Sequence, residues 1–505
     1  MSSLPIQILD IYNDYQEYIK ISNPDCYLKH WEISGWVRDF RFQIDNAFVS
    51  IYDGSTSEIF QLVCSRKDTL NFDSLENLRG ASIKASGKVI KSPAKGQIIE
   101  MLCNLIEPIG LVKDKNSIIL AKSVQLETLR GYQHLRTRFR SYGWIYKIRS
   151  TLLKHIHTFF HSNRFYNLDP NIITTSDCEG AGEVFTISSL DSNELVKRTE
   201  NMYSTKLLNY DEQDKKSLMS DSNVYEQDFF RKQSFLTVSS QLQLEALTVG
   251  LSRVYTLNPS FRADKSKTKR HLGCFTHLEW EIAFIGIDQL MDFSESLIKY
   301  VISNTLNECI KEYDELNKFL SKGIIDKLKN VISNQFERIT YDKAIELIKI
   351  HKEQILKLYH NEISIKDIPD WGDDLGSYCE KYICDHIYNK PVFVYNYPIK
   401  LKSFYMKANS DNLTCQAVDL LANGIGELIG SSIREDSYEK LIQRMDEKSM
   451  DKSKLEWYVN LRKNSSVQTG GAGLGFDRLV NFCCLIDGNI RDVVPFPVAY
   501  EECAY

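Results

Sequence analysis

The chain has 505 residues, with 62 Lys and Arg against 67 Asp and Glu, a formal charge of -5, 43% hydrophobic and 26% charged residues. At roughly 150 residues per domain this length implies two to four domains. The composition excludes a disordered or collagen-like chain, and the charge excludes a histone-like grip on nucleic acid while leaving room for a local basic patch.

No uncharged apolar run approaches about 18 residues, so no membrane span is expected. The N-terminal stretch carries Asp10, Asp14 and Glu17 before any arginine, so no signal or transit peptide is expected and the chain is read as mature from Met1. Twelve cysteines without a CxxC pair fit a reducing, cytoplasmic setting, and ten histidines show no zinc-site spacing.

In chain order, residues 31–110 read as about five short strands, alternating apolar and polar residues between turn signals such as Asp53-Gly54-Ser55. That density predicts a small Greek-key barrel, of which the OB-fold is the common nucleic-acid or saccharide binder. Eight basic residues follow between Lys122 and Lys154 (Lys122, Arg130, Arg136, Arg138, Arg140, Lys147, Arg149, Lys154) against the single acid Glu127. A solvated charged face explains them as well as a nucleic-acid contact does. Apolar residues at Ile148, Leu152, Leu153, Ile156, Phe159 and Phe160 then predict a helix. The stretch from Ser188 to Asp228 is polar and irregular, as in an insertion, and residues 289–360 are helical in pattern.

Three segments hold more Arg, Glu and Gly than packing needs. VYTLNPSFRADKSKTKRHLGCFTHLEWEIAF (254–284) reads as strand, polar loop and return strand, with Arg262, Asp264, Arg270 and His271 in the loop and Phe275 beyond it. An Arg fork beside an imidazole suits phosphate oxygens, although an exposed hairpin with surface charges has the same pattern. In CQAVDLLANGIGELIGSSIRE (415–435), Asp419 and Glu427 stand inside apolar strand-like runs, where carboxylates need partners and are able to hold Mg²⁺ with nucleotide phosphates. In SSVQTGGAGLGFDRLV (465–480), glycines precede Arg478 and a helical pattern. No strand and downstream acid frame GAGLG as a dinucleotide loop.

Together FRADKSKTKRH, VDLLANGIGELIG and GAGLGFDRL resemble motif 2, the metal-bearing strand and motif 3 of class II aminoacyl-tRNA synthetases of the aspartyl, asparaginyl and lysyl subgroup, and the match is close to the asparaginyl-tRNA synthetase family. ITTSDCEGAGEVF, FLTVSSQLQLEAL, KPVFVYNYP and NIRDVVPFP extend the resemblance, and SGWVRDFR and AFVSIYDGS resemble the subgroup's OB-fold. The resemblance implies an α+β protein: an OB-fold anticodon-binding domain at 1–117, a basic hinge at 118–140, and a catalytic domain at 141–505 built on a six-stranded antiparallel sheet flanked by helices, with a polar insertion at about 188–224.

It also implies ATP-dependent formation of asparaginyl-adenylate, transfer to the tRNA 3′ end, and Mg²⁺. Arg262 would be the catalytic contact to the α-phosphate and the amino-acid carboxylate. Arg270 and His271 would hold the outer phosphates, and Phe275 and Arg478 would enclose adenine. Asp264, Leu272, Glu427 and Gly475 complete the implied ATP site, with Asp419 and Glu427 on the metal. Glu179, Gln241, Glu245 and Arg434 would line the amino-acid pocket. Aspartyl enzymes have Lys at the place of Leu244 and Ser at that of Gly430, which favours asparagine, with Glu245 accepting from the side-chain amide, directly or through water, and repelling aspartate, although a surface acid on its helix has the same pattern. Arg38, Phe48 and Gln61 would read the anticodon, although Phe48 suits a barrel core equally well. Pro170 would mark the interface of a homodimer. No DNA and no membrane partner is implied. Asp264 and Cys274 stand where motif 2 usually has Glu, Asp477 where motif 3 usually has Glu, Ile433 replaces a usual Gln, and Gln468-Thr469 replace a Pro-His pair. The alternatives are an aspartate-specific or relaxed enzyme and a catalytically silent RNA-binding relative.

Overall fold

The computed structural model describes residues 4–75, 78–175, 183–191, 225–226, 228–464 and 466–504. These separate into two compact units, residues 1–144 and 145–505.

In the first unit, β1 (Leu28–Phe42), β2 (Asn46–Tyr52), β3 (Phe60–Ser65), β4 (Ser82–Lys91) and β5 (Ile99–Gly110) close in the order β1-β2-β3-β5-β4. Alternation sets what fills the barrel. Ala47, Val49 and Ile51 of β2 and Leu62 and Cys64 of β3 are fully buried, while Phe48, Ser50 and Gln61 lie half-buried on the outer face. Closure requires glycine at position 87, where a Cβ would stand 2.2 Å from the Leu102 carbonyl oxygen at a register shift between β4 and β5. Helix α1 (Ile8–Ile19) adds Ile8, Ile11, Tyr12 and Tyr15 to the same core.

The basic run is not a free surface. Arg136 is buried, Arg138 donates to Tyr52 Oη and the Gly80 carbonyl at 2.9 Å each, and Arg140 donates to the Ser57 carbonyl at 3.1 Å. In the second unit Lys147, Arg149 and Lys154 pair with Glu312, Asp477 and Glu308 at 2.8, 2.6 and 2.8 Å. Arg138, Arg140 and Arg149 thus serve as anchors within their own units, whereas Lys122 is exposed and the Lys154 side chain is 60% exposed.

The second unit opens with the rest of α2 (Arg140–Ser162), the helix its apolar spacing predicted. Its main sheet has the order β12-β13-β14-β15-β16-β11-β10-β6. The members are β6 (Tyr166–Asn167), β10 (Arg253–Phe261), β11 (Cys274–Ala283), β12 (Glu337–Thr340), β13 (Val392–Pro398), β14 (Thr414–Ala422), β15 (Gly426–Ile433) and β16 (Thr469–Gly475). The six strands from β13 to β10 are antiparallel throughout, as expected, and short parallel strands at the edges, β6 and β12, extend the sheet to eight. A small sheet of β7 (Ile173–Thr174), β9 (Ser234–Leu236) and β8 (Thr186–Ile187) lies in the same unit, ahead of α3 (Gln241–Leu251). Most of the polar insertion, residues 192–224, lies outside the described residues.

The stretch expected to be helical throughout, 289–360, forms α4 (Ile287–Glu308), α5 (Ile310–Phe319), α6 (Ile324–Ser333), α7 (Tyr341–Ile350) and α8 (Lys352–Leu358), but β12 interrupts it. Four residues carry no strand periodicity of their own; pairing with β13 decides their conformation.

β11 has two different faces. Leu278, Trp280 and Ile282 enter the core beneath the sheet. There Trp280 lies 5.8 Å from Phe160 of α2 and 6.2 Å from Phe293 of α4, and Phe160 stacks on Tyr255 of β10 at 4.3 Å. The opposite face carries Phe275, His277, Glu279 and Glu281. Behind it α12 (Phe476–Cys484) is tied down by Asp477, which takes the Arg149 guanidinium and the Thr276 backbone N–H at 2.8 Å. Replacing Arg149 by Ala strands the buried Asp477 carboxylate and is expected to cost about 3 kcal/mol, read as the loss of unfolding free energy in denaturant titration.

Candidate active site

The site begins with a strand that carries Thr469 and then three glycines on one face. In the β11–β16 pairing His277 lies opposite Gly475, Glu279 opposite Gly473 and Glu281 opposite Gly471. A Cβ on Gly471 would stand 1.8 Å from Glu281 Oε2 and 2.5 Å from the Trp280 carbonyl oxygen, and one on Gly473 would stand 2.5 Å from His277 Nε2. GGAGLG is thus a strand whose bare face lets the polar side chains of β11 lie across it.

At one end of this floor opens a cleft of about 700 Å³ of empty space, counted with the solvent at its mouth. All nine residues implied for ATP, Arg262, Asp264, Arg270, His271, Leu272, Phe275, Glu427, Gly475 and Arg478, line it. Arg262 follows the last residue of β10, held by its backbone N–H on the Gly273 carbonyl at 3.0 Å, with its guanidinium 5.6 Å from the Phe275 ring. Arg270 donates to the Ile425 carbonyl in the β14–β15 turn, and Arg478 to the Glu427 carbonyl at 2.8 Å. His271 is held through Nδ1 by Ser266 Oγ, at 3.0 Å, and by Thr268 Oγ1. Burial lowers the pKa of Arg270 and of His271, and for His271 the charges of Arg478 and Arg270 add to it. Three guanidiniums around one opening make an anion site waiting for its charge.

Two carboxylates converge beside it. A Cβ on Gly430 would stand 2.9 Å from Glu427 Oε1 and 3.8 Å from Asp419 Oδ1. Asp419 Oδ2 is engaged by Lys402 Nζ at 2.6 Å, and that ammonium lies 3.8 Å from the centre of the Tyr397 ring. Burial raises the Asp419 pKa against the pull of Lys402, whereas the charges of Arg478, Lys402 and Arg262 outweigh burial at Glu427 and lower it. Among the described residues no group of three or more His, Cys, Asp or Glu forms a metal cluster. Mg²⁺ commonly takes one or two carboxylates, water and substrate phosphates, and one oxygen from each of these two acids suits that. Glu380, of α9 (Ser377–Tyr382), stands across from Arg270, and burial, then Glu427 and Asp419, push its pKa up to about 7.

The other end of the floor is a buried charge cluster. Arg434 forks onto Glu281, Nε to Oε1 at 2.9 Å and Nη2 to Oε2 at 2.8 Å, and donates to Ser432 through Nη1. Two further helices, α10 (Tyr438–Glu447) and α11 (Glu456–Lys463), close over it. From α11, Arg462 and Tyr458 both donate to Glu245, with Arg462 Nη2 at 2.6 Å from Oε1. Thr469 also donates to Glu245 Oε1, at 3.3 Å. Glu245 is thus held by protein donors on both oxygens, Arg462 and Thr469 on Oε1 and Tyr458 on Oε2. Glu279 accepts from Ser239 Oγ and from the Ser240 backbone N–H at 3.0 and 3.1 Å. At the start of α3, Gln241 Nε2 and Gln243 Oε1 are buried without a hydrogen-bond partner among the described residues, and Leu244 is fully buried. Glu179 lies outside the described residues.

In the barrel, Phe48 faces outward, which answers the question its alternation left open. The Arg41 guanidinium lies 5.7 Å from its ring, and Gln61 shares that face, where its Oε1 accepts from Ser50 Oγ at 3.1 Å. Arg38 donates to the Lys122 carbonyl at 3.3 Å. The Pro170 carbonyl accepts from Asn258 Nδ2 at 2.9 Å. Sequence reasoning passed over His277, Glu279, Glu281, Glu380 and Lys402. The signal for the first three was present in HLEWE, where polar residues alternate at a strand's period beside an apolar face.

Gly471→Ala has no room against a backbone carbonyl. It is expected to lower stability by roughly 2 to 3 kcal/mol, read by denaturant titration, and to displace Glu281 from Arg434.

The family model of class II tRNA synthetases (D, K and N) matches residues 125–499. An asparagine–tRNA ligase of Borreliella burgdorferi is 38% identical over 467 residues, 92% of this chain and 94% of that one. One of Treponema denticola is 38% identical over 472 residues, 93% and 95% of the two chains. The solved structure of asparaginyl-tRNA synthetase from Pyrococcus horikoshii complexed with asparaginyl-adenylate superposes with a TM-score of 0.78 at 29% identity, covering 99% of each chain. A cleft ringed by motif 2 and motif 3 arginines, on an antiparallel sheet, in a chain this similar to those proteins over almost its whole length, places it in the class II tRNA synthetases of the D, K and N group.

Proposed function

We propose that this chain ligates asparagine to its cognate tRNA in two steps. The asparagine carboxylate attacks the α-phosphorus of ATP and pyrophosphate leaves; the terminal ribose hydroxyl of the tRNA then attacks the acyl carbon and AMP leaves. The observation that carries this reading is the convergence of Arg262, Arg270, His271, Phe275, Glu427 and Arg478 on one cleft.

No protein nucleophile is needed, so alignment and electrostatics supply the rate. Arg262 holds the α-phosphate and the attacking carboxylate and stabilises charge that grows in the transition state. Arg270 and His271 hold the outer phosphates, and Phe275 and Arg478 enclose adenine. Asp264, Leu272 and Gly475 shape the opening. Asp419 and Glu427 are the residues to hold Mg²⁺, which neutralises phosphate charge when bound. Gln241, with its unpartnered Nε2, and Arg434 line the amino-acid pocket, with Glu179 assigned there by resemblance.

The choice of asparagine over aspartate follows from charge balance. Glu281 and Glu245 are matched by Arg434 and Arg462, all four buried, and Glu279 adds a third buried carboxylate held by serine donors. Arg434 retains N–H groups for an amide oxygen, but its charge is spent on Glu281. A second substrate carboxylate would lose its water without gaining a free cation. Where aspartyl enzymes carry a Lys, this chain buries Leu244.

Outside the catalytic unit, the outward ring of Phe48, with Gln61 and Arg38 nearby in the barrel, suits stacking and edge recognition of anticodon bases. Tyr166, Ile172 and Ile173 are exposed beside Pro170, which supports assembly of two copies across this edge. Ten of the described cysteines, from Cys26 to Cys484, form no disulfide, in keeping with a reducing, cytoplasmic setting.

ATP–pyrophosphate exchange by the purified chain, without tRNA, is expected with asparagine and not with aspartate. Exchange with aspartate alone would overturn the pocket assignment, and no exchange with either would favour a silent relative. Arg262→Ala is expected to lower exchange by about 10² to 10³. Glu245→Gln leaves Arg462 uncompensated and is expected to reduce the preference for asparagine over aspartate by about tenfold. Sedimentation equilibrium is expected to give twice the chain mass.

A further inference from the structure

One group on the floor of the cleft has no part in this account. His277 is 8% exposed and lines the opening between Phe275 and Glu279. Its Nδ1 lies 3.2 Å from Ser260 Oγ and 3.5 Å from Glu279 Oε1. A carboxylate oxygen only accepts, so a lone pair on Nδ1 would face negative charge; the proton sits on Nδ1 and leaves Nε2 as an acceptor. Burial lowers the imidazole's pKa; Arg262 and Arg478 act in the same direction, Glu279 and Glu427 against it. The ring is therefore neutral. Nε2 lies over Gly473, where any Cβ would meet it, and among the described residues His277 makes its hydrogen-bonding contacts through Nδ1 alone.

Position along the strand says what Nε2 meets. A strand rises about 3.3 Å per residue, so His277 follows Phe275 by about 7 Å on the same face, in the direction of Glu281 and Arg434. With the base against Phe275 and the aminoacyl group at the charge cluster, the sugar is the unit that spans this step. We propose that Nε2 of His277 accepts a hydrogen bond from a ribose hydroxyl of the bound nucleotide, making it a further substrate-positioning residue of the cleft. The proposal rests on the reading of the cleft as an ATP site. Ser260 and Glu279 act through His277 by fixing its tautomer, and Gly473 by leaving the ring room to lie flat.

The test is ATP–pyrophosphate exchange with asparagine, using ATP, 2′-deoxy-ATP and 3′-deoxy-ATP, in the native chain, His277→Leu and His277→Gln. In the native chain, KM for one of the two deoxynucleotides is expected to exceed that for ATP by about tenfold, the worth of one ordinary hydrogen bond. His277→Leu is expected to raise KM for ATP by about the same factor and to add nothing for that deoxynucleotide, with kcat within about twofold. His277→Gln, which keeps an acceptor oxygen, is expected to retain most of the discrimination. Equal discrimination in His277→Leu and the native chain, or none in the native chain, would overturn the proposal. Calorimetric titration of the same three nucleotides reads the contact without turnover. A native chain that binds and discriminates the nucleotides but does not exchange would strike the activity reading and leave this one standing.

Discussion

The active-site half of this protein depends on how a row of buried polar side chains can occupy one face of a strand. Phe275, His277, Glu279 and Glu281 point the same way from β11, and three of the four are polar and buried. A sheet tolerates this only if the neighbouring strand yields its space and nearby elements supply partners. β16 yields the space through Gly471, Gly473 and Gly475. Serines before α3 partner Glu279, Ser260 of β10 partners His277, and Arg434 just past β15 partners Glu281. Each of these comes from a different part of the chain, so the site is assembled only when the whole unit is.

The same row grades the chemistry from one end to the other. One end gathers three guanidiniums, those of Arg262, Arg270 and Arg478, beside the carboxylates of Asp264, Glu427 and Asp477. The other end buries two ion pairs, Arg434 on Glu281 and Arg462 on Glu245. Buried ion pairs contribute little net stability, since desolvation offsets their attraction. The departures from the family pattern read differently in this light. Asp477 is a structural anchor between α2 and β11, and Cys274 stands at the edge of the cleft, half-buried, with its thiol pKa raised by burial and by Asp477.

Much of this is legible in the order of residues alone. The five barrel strands, the helix after the basic run, the strand–loop–strand of motif 2 and the residues around the nucleotide follow from local alternation, spacing and resemblance. These features are encoded over a few adjacent residues, so a linear reading recovers them. The edge strand β12 escapes such a reading because four residues inside a helical region have no pattern of their own, and only the β13 neighbour makes them a strand. The partners of Glu245 escape it for a related reason. Its helix shows it as an acid near the pocket, but its partners Tyr458 and Arg462 lie more than two hundred residues away.

By itself the sequence determined the family, the alternation of each strand and the chemical inventory of the cleft, because these depend on which side chains occur at which short spacings. Tertiary structure alone decided which charges are free and which are spent. It tied Arg138, Arg140 and Arg149 down within their own units, turned Phe48 outward, committed Lys402 to Asp419 and Arg434 to Glu281, and left Nε2 of His277 facing the cleft. Each outcome turns on a partner distant in sequence and on the absence of a Cβ across a strand pair, and neither is written in the local order of residues.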